Sequence, residues 1–165
     1  MMKKLVLVGL FLIAVVAVNA QDVFSKGTNI LNAGIGVGTG IPVEVSFEHS
    51  IIDGLIKGEN GAIGIGAYGG WYHNSEGDWS YNHYVIGARG AFHYQFVDKL
   101  DTYAGTMLGY NIASVSGDGV GSATGSVFDF SLFVGARYFF KPNLGVYAEA
   151  GYGVSNLGVG VALKF

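Results

Sequence analysis

Glu44, Glu48, Arg89, Asp129, Arg137 and Glu149 are the residues of this 165-residue chain whose types and spacing could do chemistry together. Each falls on the polar parity of an alternating stretch, so each points to one side of its strand. Carboxylates and guanidiniums gathered on one side can form a buried ion-pair network, or line a gate or narrow polar path for a solute. Arg137 and Glu149 lie at nearly equal distances from "KPNL" (141–144) and are expected to face each other across a hairpin. Arg89 and Glu48 fall at a similar depth in their own strands, close enough to join them. A structural network that fills an interior is the favoured expectation. Glycines on the same parity, among them Gly34, Gly36, Gly38, Gly64 and Gly66, remove side chains and favour the path instead.

Other chemistries find less support. His73, Glu76, Asp78 and His83 cluster around "HNSEGDWSYN" (73–82), but their spacing is irregular and an ordinary solvated loop accounts for them. "GIGAYG" (64–69) matches a dinucleotide fingerprint, yet it lies inside a strand pattern with no helix after it. Serines are plentiful, and none has an evident His and Asp constellation. No enzyme, cofactor or metal site is therefore expected. A net charge of −3 offers no basic footprint for nucleic acid. The absence of Cys rules out a disulfide framework.

Eight alternating stretches must position these residues. They are expected at about 29–38, 43–52, 61–72, 83–96, 101–112, 127–140, 145–155 and 157–165. "HNSEGDWSYN" and the Gly/Ser-rich "ASVSGDGVGSATGS" (113–126) are expected as loops, the second of them mobile. The stretches are long enough for the roughly 9–11 tilted residues that cross a bilayer. One parity is apolar in all eight. At about forty such positions there is no Asp, Glu, Lys or Arg, and only His49 can titrate. Soluble sandwiches and lipocalin-like barrels place greasy faces inward and charges outward, the reverse of this pattern. The fold class this implies is all-β: an eight-stranded antiparallel up-and-down transmembrane β-barrel.

The aromatics agree. With strands running up and down, Phe92, Tyr94, Phe96, Tyr138, Phe140 and Phe165 gather at one rim. Trp71, Tyr84, Tyr110, Phe128, Phe130 and Tyr152 gather at the other. Amphipathic rings prefer the two membrane interfaces. The N-terminus, "MMKKLVLVGLFLIAVVAVNAQ", carries Lys3 and Lys4, an apolar run shorter than a membrane span, and Val18-Asn19-Ala20. Residues 1–20 are expected to be a cleaved signal peptide, which leaves 21–165 as one barrel domain.

Together with the final "GVGVALKF" (158–165), these features resemble the small outer-membrane β-barrels of the OmpA/OmpX type. That resemblance implies a monomer in the bacterial outer membrane, surrounded by lipid and lipopolysaccharide. It also implies that Phe165 belongs to the signal read by the barrel-assembly machinery. The very short first and fourth outer connections, at 39–42 and around Asn156, depart from the best-known relatives. The expected role is structural or surface-interacting, with an occluded polar interior. Alternatives are a narrow porin-like channel and an adhesin acting through Trp79, Tyr81 and the 113–126 segment. A lipid A-modifying enzyme would need Ser and His at a lateral opening, and no such signature is present.

Overall fold

The computed structural model describes residues 23–165 apart from 39, 57–59, 118–119 and 153–154. The expected signal peptide lies outside the described residues, as do the tip of the 113–126 segment and two positions of the seventh expected strand. Eight strands follow one another: β1 (Asn29–Val37), β2 (Val43–Leu55), β3 (Gly61–Glu76), β4 (Trp79–Val97), β5 (Leu100–Gly117), β6 (Val120–Lys141), β7 (Leu144–Tyr152) and β8 (Leu157–Lys164). Each pairs antiparallel with the next, and β8 returns to β1 to close a barrel.

The seam between β1 and β8 runs in register from Ile30 opposite Lys164 to Val37 opposite Leu157. Beyond it Asn29 and Phe165 exchange both backbone hydrogen bonds, each 3.0 Å. The last residue of the chain thus completes the closure. Its ring stands outside, 70% exposed, 6.4 Å from Phe47.

The barrel is inside out relative to a water-soluble one. Along β2, exposed Val43, Val45 and Phe47 alternate with buried Glu44, Ser46 and Glu48. The same alternation gives β6 an exposed row of Phe128, Phe130, Leu132 and Val134 beside buried Ser131 and Phe133. An exterior this apolar is stable only against hydrocarbon, so the barrel spans a membrane. At one end the exposed aromatics pair across strands, Trp71 opposite Tyr84 and Tyr110 opposite Phe128. At the end where β1 begins and β8 finishes stand Phe96, Phe140 and Phe165. His49, on the lipid-facing parity, lies at this second rim, its Nδ1 2.9 Å from Asn29 Oδ1.

Four strands are longer than the hydrophobic alternation foretells. "HNSEGDWSYN" is not a loop: β3 and β4 stay paired to Glu76 opposite Trp79, and only Gly77 and Asp78 turn the chain. Gly77 supplies the positive φ (60°) that a two-residue hairpin turn requires. The 113–126 segment likewise continues β5 and β6, paired to Gly117 opposite Val120. The expected loop is thus replaced, up to those residues, by paired strands. The outward face of both segments is polar (His73, Ser75, Ser80, Asn82, Ser114 and Thr124), so the outward apolar row ends where the strands leave the hydrocarbon while the ladder continues. The Gly-Asp pair at 77–78, a hairpin-turn signature, was the legible signal.

The result is a lopsided barrel. β3 to β6 rise as a tall wall beyond the aromatic rim, whereas β1, β2, β7 and β8 are shorter. At the opposite end Val23 and Phe24 fold beneath the lumen and pack with Ile30, Ala62, Phe139 and Ala162.

Candidate functional site

The interior residues come from nearly every strand. Glu48 lies on β2, Arg89 and His93 on β4, Asp101 and Tyr103 on β5, Arg137 on β6, and Glu149 on β7. Strand parity turns all of them inward, and barrel closure brings together residues as far apart in sequence as Asn32 and Arg137. The bulk comes from neighbours opposite small residues. A Cβ on Gly135 would strike the Tyr103 ring, one on Gly158 the Glu44 carboxylate, and one on Gly64 would lie 2.9 Å from Phe24. At these three positions the glycine makes room for a neighbouring side chain.

Arg137 is the hub. Wholly buried, it donates from Nη1 to Asp101 Oδ2 at 2.8 Å, from Nε to Asn32 Oδ1 at 3.1 Å, and from Nη2 to Glu48 Oε2. Its guanidinium also lies 4.1 Å from the Tyr103 ring centroid. Arg89 forms a second fork, reaching both oxygens of Glu149 at 2.8 and 3.4 Å, with its Nε 3.4 Å from Glu48 Oε1. The Phe133 ring covers it at 3.8 Å, and Tyr103 donates its hydroxyl to Glu149 at 2.9 Å. His93 closes the group, its Nδ1 2.9 Å from Asp101 Oδ1 and its ring stacked 3.9 Å from Phe24. Buried charges persist only when paired and hydrogen-bonded, and planar guanidiniums supply the forked geometry that carboxylates need.

Four of the expected residues, Glu48, Arg89, Arg137 and Glu149, thus converge in one network, and three details differ. Arg137 and Glu149 are not opposite each other: Arg137 faces Tyr147, and Glu149 faces Gly135. Equal counting from "KPNL" misses the fact that the turn is only Pro142 and Asn143, with Lys141 paired to Leu144 and a register shift beyond it. Glu44 stands apart from the ion pairs. Buried, it accepts hydroxyl hydrogen bonds from Tyr68 (2.9 Å), Tyr147 (3.1 Å) and Ser155 (3.0 Å) instead of meeting a cation. Asp129, half-buried on β6 beside the outward Phe128 and Phe130, also joins no ion pair among the described residues. Asp101 and His93 are the members that sequence reasoning missed. Both lie on the inward parity, but Asp101 looks like the end of a turn and His93 like one polar residue among aromatics.

The outlying candidates have other positions. Trp79 and Tyr81 are strand residues at the start of β4, opposite Glu76 and Asn74. They share the inward parity with His83, so they face the concave side of the tall wall. His83 stacks on Tyr72 at 4.4 Å and holds Asn111 at 3.1 Å, while His73 bonds Asn82 and Ser75 on the outer face. The two histidines of the considered metal cluster therefore occupy opposite faces of the sheet. Among the described residues no group of three His, Asp or Glu converges as a metal site. "GIGAYG" lies within β3, in a paired strand.

No protein-family model and no curated protein matches the chain. Solved structures do. The N-terminal β-barrel domain of Pseudomonas aeruginosa OprF superposes with a TM-score of 0.61 at 14% identity, covering 85% of this chain and 98% of that one. Neisserial surface protein A (NspA) gives 0.61 at 20% identity, covering 84% and 94%. Ail, the attachment invasion locus protein of Yersinia pestis, solved in complex with the heparin analogue sucrose octasulfate, gives 0.57 at 12% identity, covering 85% and 99%. The chain has the fold of small bacterial outer-membrane β-barrels.

Proposed function

We propose that this chain is an integral outer-membrane protein whose lumen is closed by its own charged side chains, with a structural and surface-interacting role rather than a transporting one. Its place is the bacterial outer membrane, with the termini on the periplasmic side and the tall wall outside. The observation that carries the closed lumen is the Arg137 hub. A fully buried guanidinium bonded to Glu48, Asp101 and Asn32 ties four strands together across the interior. An eight-stranded barrel has an interior that side chains can fill, and here aromatic rings and forked ion pairs occupy it. Phe24 and Val23 add an apolar layer beneath.

Planar-bilayer recording of the refolded mature chain tests this. The expected trace is flat across the usual voltage range; discrete, reproducible conductance steps would overturn the closed lumen and leave the channel reading. The adhesin alternative is supported by the exposed wall, now a sheet instead of loops. Phe165 is proposed to serve both the seam and recognition by the assembly machinery. The heparin analogue on Ail makes a polyanion one partner to consider. On the tall-wall side of the membrane the described residues include no Lys or Arg to hold one.

A further inference from the structure

The charges of this protein are sorted by depth. After residue 20 the sequence holds seven Lys and Arg residues: Lys26, Lys57, Arg89, Lys99, Arg137, Lys141 and Lys164. Arg89 and Arg137 are buried in the ion-pair network. Lys26 precedes β1, Lys99 lies in the β4–β5 turn, and Lys141 and Lys164 end β6 and β8, so all four stand at the end where β1 begins and β8 finishes. Lys57 falls outside the described residues. At the opposite end, among the described residues, there are carboxylates and no Lys or Arg. Glu76 and Asp78 are exposed at the β3–β4 tip, and Asp129 stands half-buried lower on the inward parity of β6. Glu44, whose carboxylate three hydroxyls hold without a countercharge, adds a further negative group inside the upper lumen.

The concave face of the tall wall couples this charge to apolar area. Trp79, 40% exposed, and Tyr81 sit on it beside Tyr72, with Ala113 and Val115 on the neighbouring strand. Aromatic faces attract cations, and acidic groups around them reinforce the attraction where no competing ammonium or guanidinium is present. Four strands give a face roughly 15 Å across, wider than a small amine needs and suited to a peptide segment.

We infer that this concave face docks a basic, amphipathic polypeptide segment, with Trp79 and Tyr81 as its apolar platform and Glu76, Asp78 and Asp129 as its charge partners. The inference rests on the reading of the chain as an outer-membrane barrel with this wall exposed. Complementary potential steers such a segment to the face and rejects polyanions.

The test uses the mature chain refolded in nanodiscs. The protein has two tryptophans, so a Trp71→Phe background leaves Trp79 as the only indole. A synthetic peptide of alternating Lys and Leu is titrated, and heparin is titrated in parallel. The expected result is a saturable change in Trp79 emission with the peptide and none with heparin. Raising NaCl from low to several hundred millimolar should weaken peptide binding about tenfold, because exposed charge pairs are screened. The Glu76→Gln, Asp78→Asn, Asp129→Asn variant should weaken it by about as much at low salt. No peptide response, salt-insensitive binding, equal binding by the triple variant, or a heparin response would each overturn the inference. The salt series on the unneutralised chain keeps the test independent of how the variant folds. Loss of binding by a barrel that does not conduct sinks this inference alone, whereas conductance sinks only the closed lumen.

Discussion

At the scale of single residues, the decisive feature is how many partners each buried charge has. Arg137 serves an amide and two carboxylates from different strands. Removing one member of a buried ionic group leaves the others desolvated and unpaired, which costs about 3–5 kcal/mol. Arg137→Ala should lower the unfolding free energy by about that amount, read from urea titration of the micelle-bound protein by tryptophan emission. Arg137→Lys should restore only part of it, since one ammonium cannot reproduce the fork toward Asp101, Glu48 and Asn32. Equal stability of Arg137→Ala and the unaltered chain would mean the network contributes nothing to folding. Asp101 shows why such residues are hard to find in a sequence. Its inward parity is readable, but its partner Arg137 is 36 positions away, and only pairing of β5 with β6 brings them together.

Elements raise a different question, namely which face of each strand meets lipid. The apolar parity was legible throughout because arginine or lysine there is penalised by depth. Val134 lies midway along β6 between the outward Phe128 and Phe140, and is 58% exposed. Val134→Arg should destabilise the barrel by about 2–4 kcal/mol, while Phe128→Arg near the interface should cost about 0–1 kcal/mol. Similar costs at the two positions, measured by the same urea titration, would show that β6 does not cross hydrocarbon as described. The inward face follows a packing rule instead. Gly135 faces the Tyr103 ring so closely that a Cβ has no room. Gly135→Ala should therefore cost about 1–3 kcal/mol from overpacking, and pairing it with Tyr103→Leu should recover part of the loss. Strand ends were the least legible part. Beyond the aromatic rim the outer face carries His73, Ser75, Ser80 and Asn82, so a strand there has the composition of a loop.

For the molecule as a whole, closure is the organising event. The seam holds eight register pairs between β1 and β8, from Ile30–Lys164 to Val37–Leu157, and ends with the reciprocal bonds of Asn29 and Phe165. Those last bonds use backbone, so Phe165→Ala leaves them intact. Refolding of that variant into detergent micelles should match the unaltered chain. In cells, its heat-modifiable, membrane-assembled fraction should fall several-fold if the terminal ring is part of an assembly signal. Equal assembled fractions would reduce Phe165 to one of the interfacial aromatics. The lopsided outline belongs to this scale too: the tall wall and the short one are opposite sides of one barrel, so the exposed sheet stands over its mouth.

The alternation of the chain by itself determined the fold, the number of strands and which face meets hydrocarbon. Each of these depends on a period of two that local residues carry, and lipid tolerates no ionised side chain on that face. The candidate ion-pair residues were likewise marked by parity. Who pairs with whom was decided by tertiary structure alone. Arg137 reaches Glu48 instead of Glu149, and Glu44 meets hydroxyls instead of a guanidinium. Such partners depend on hairpin register, on strand tilt and on which neighbours are glycine. These are properties of a closed ring, and none of its strands carries them alone.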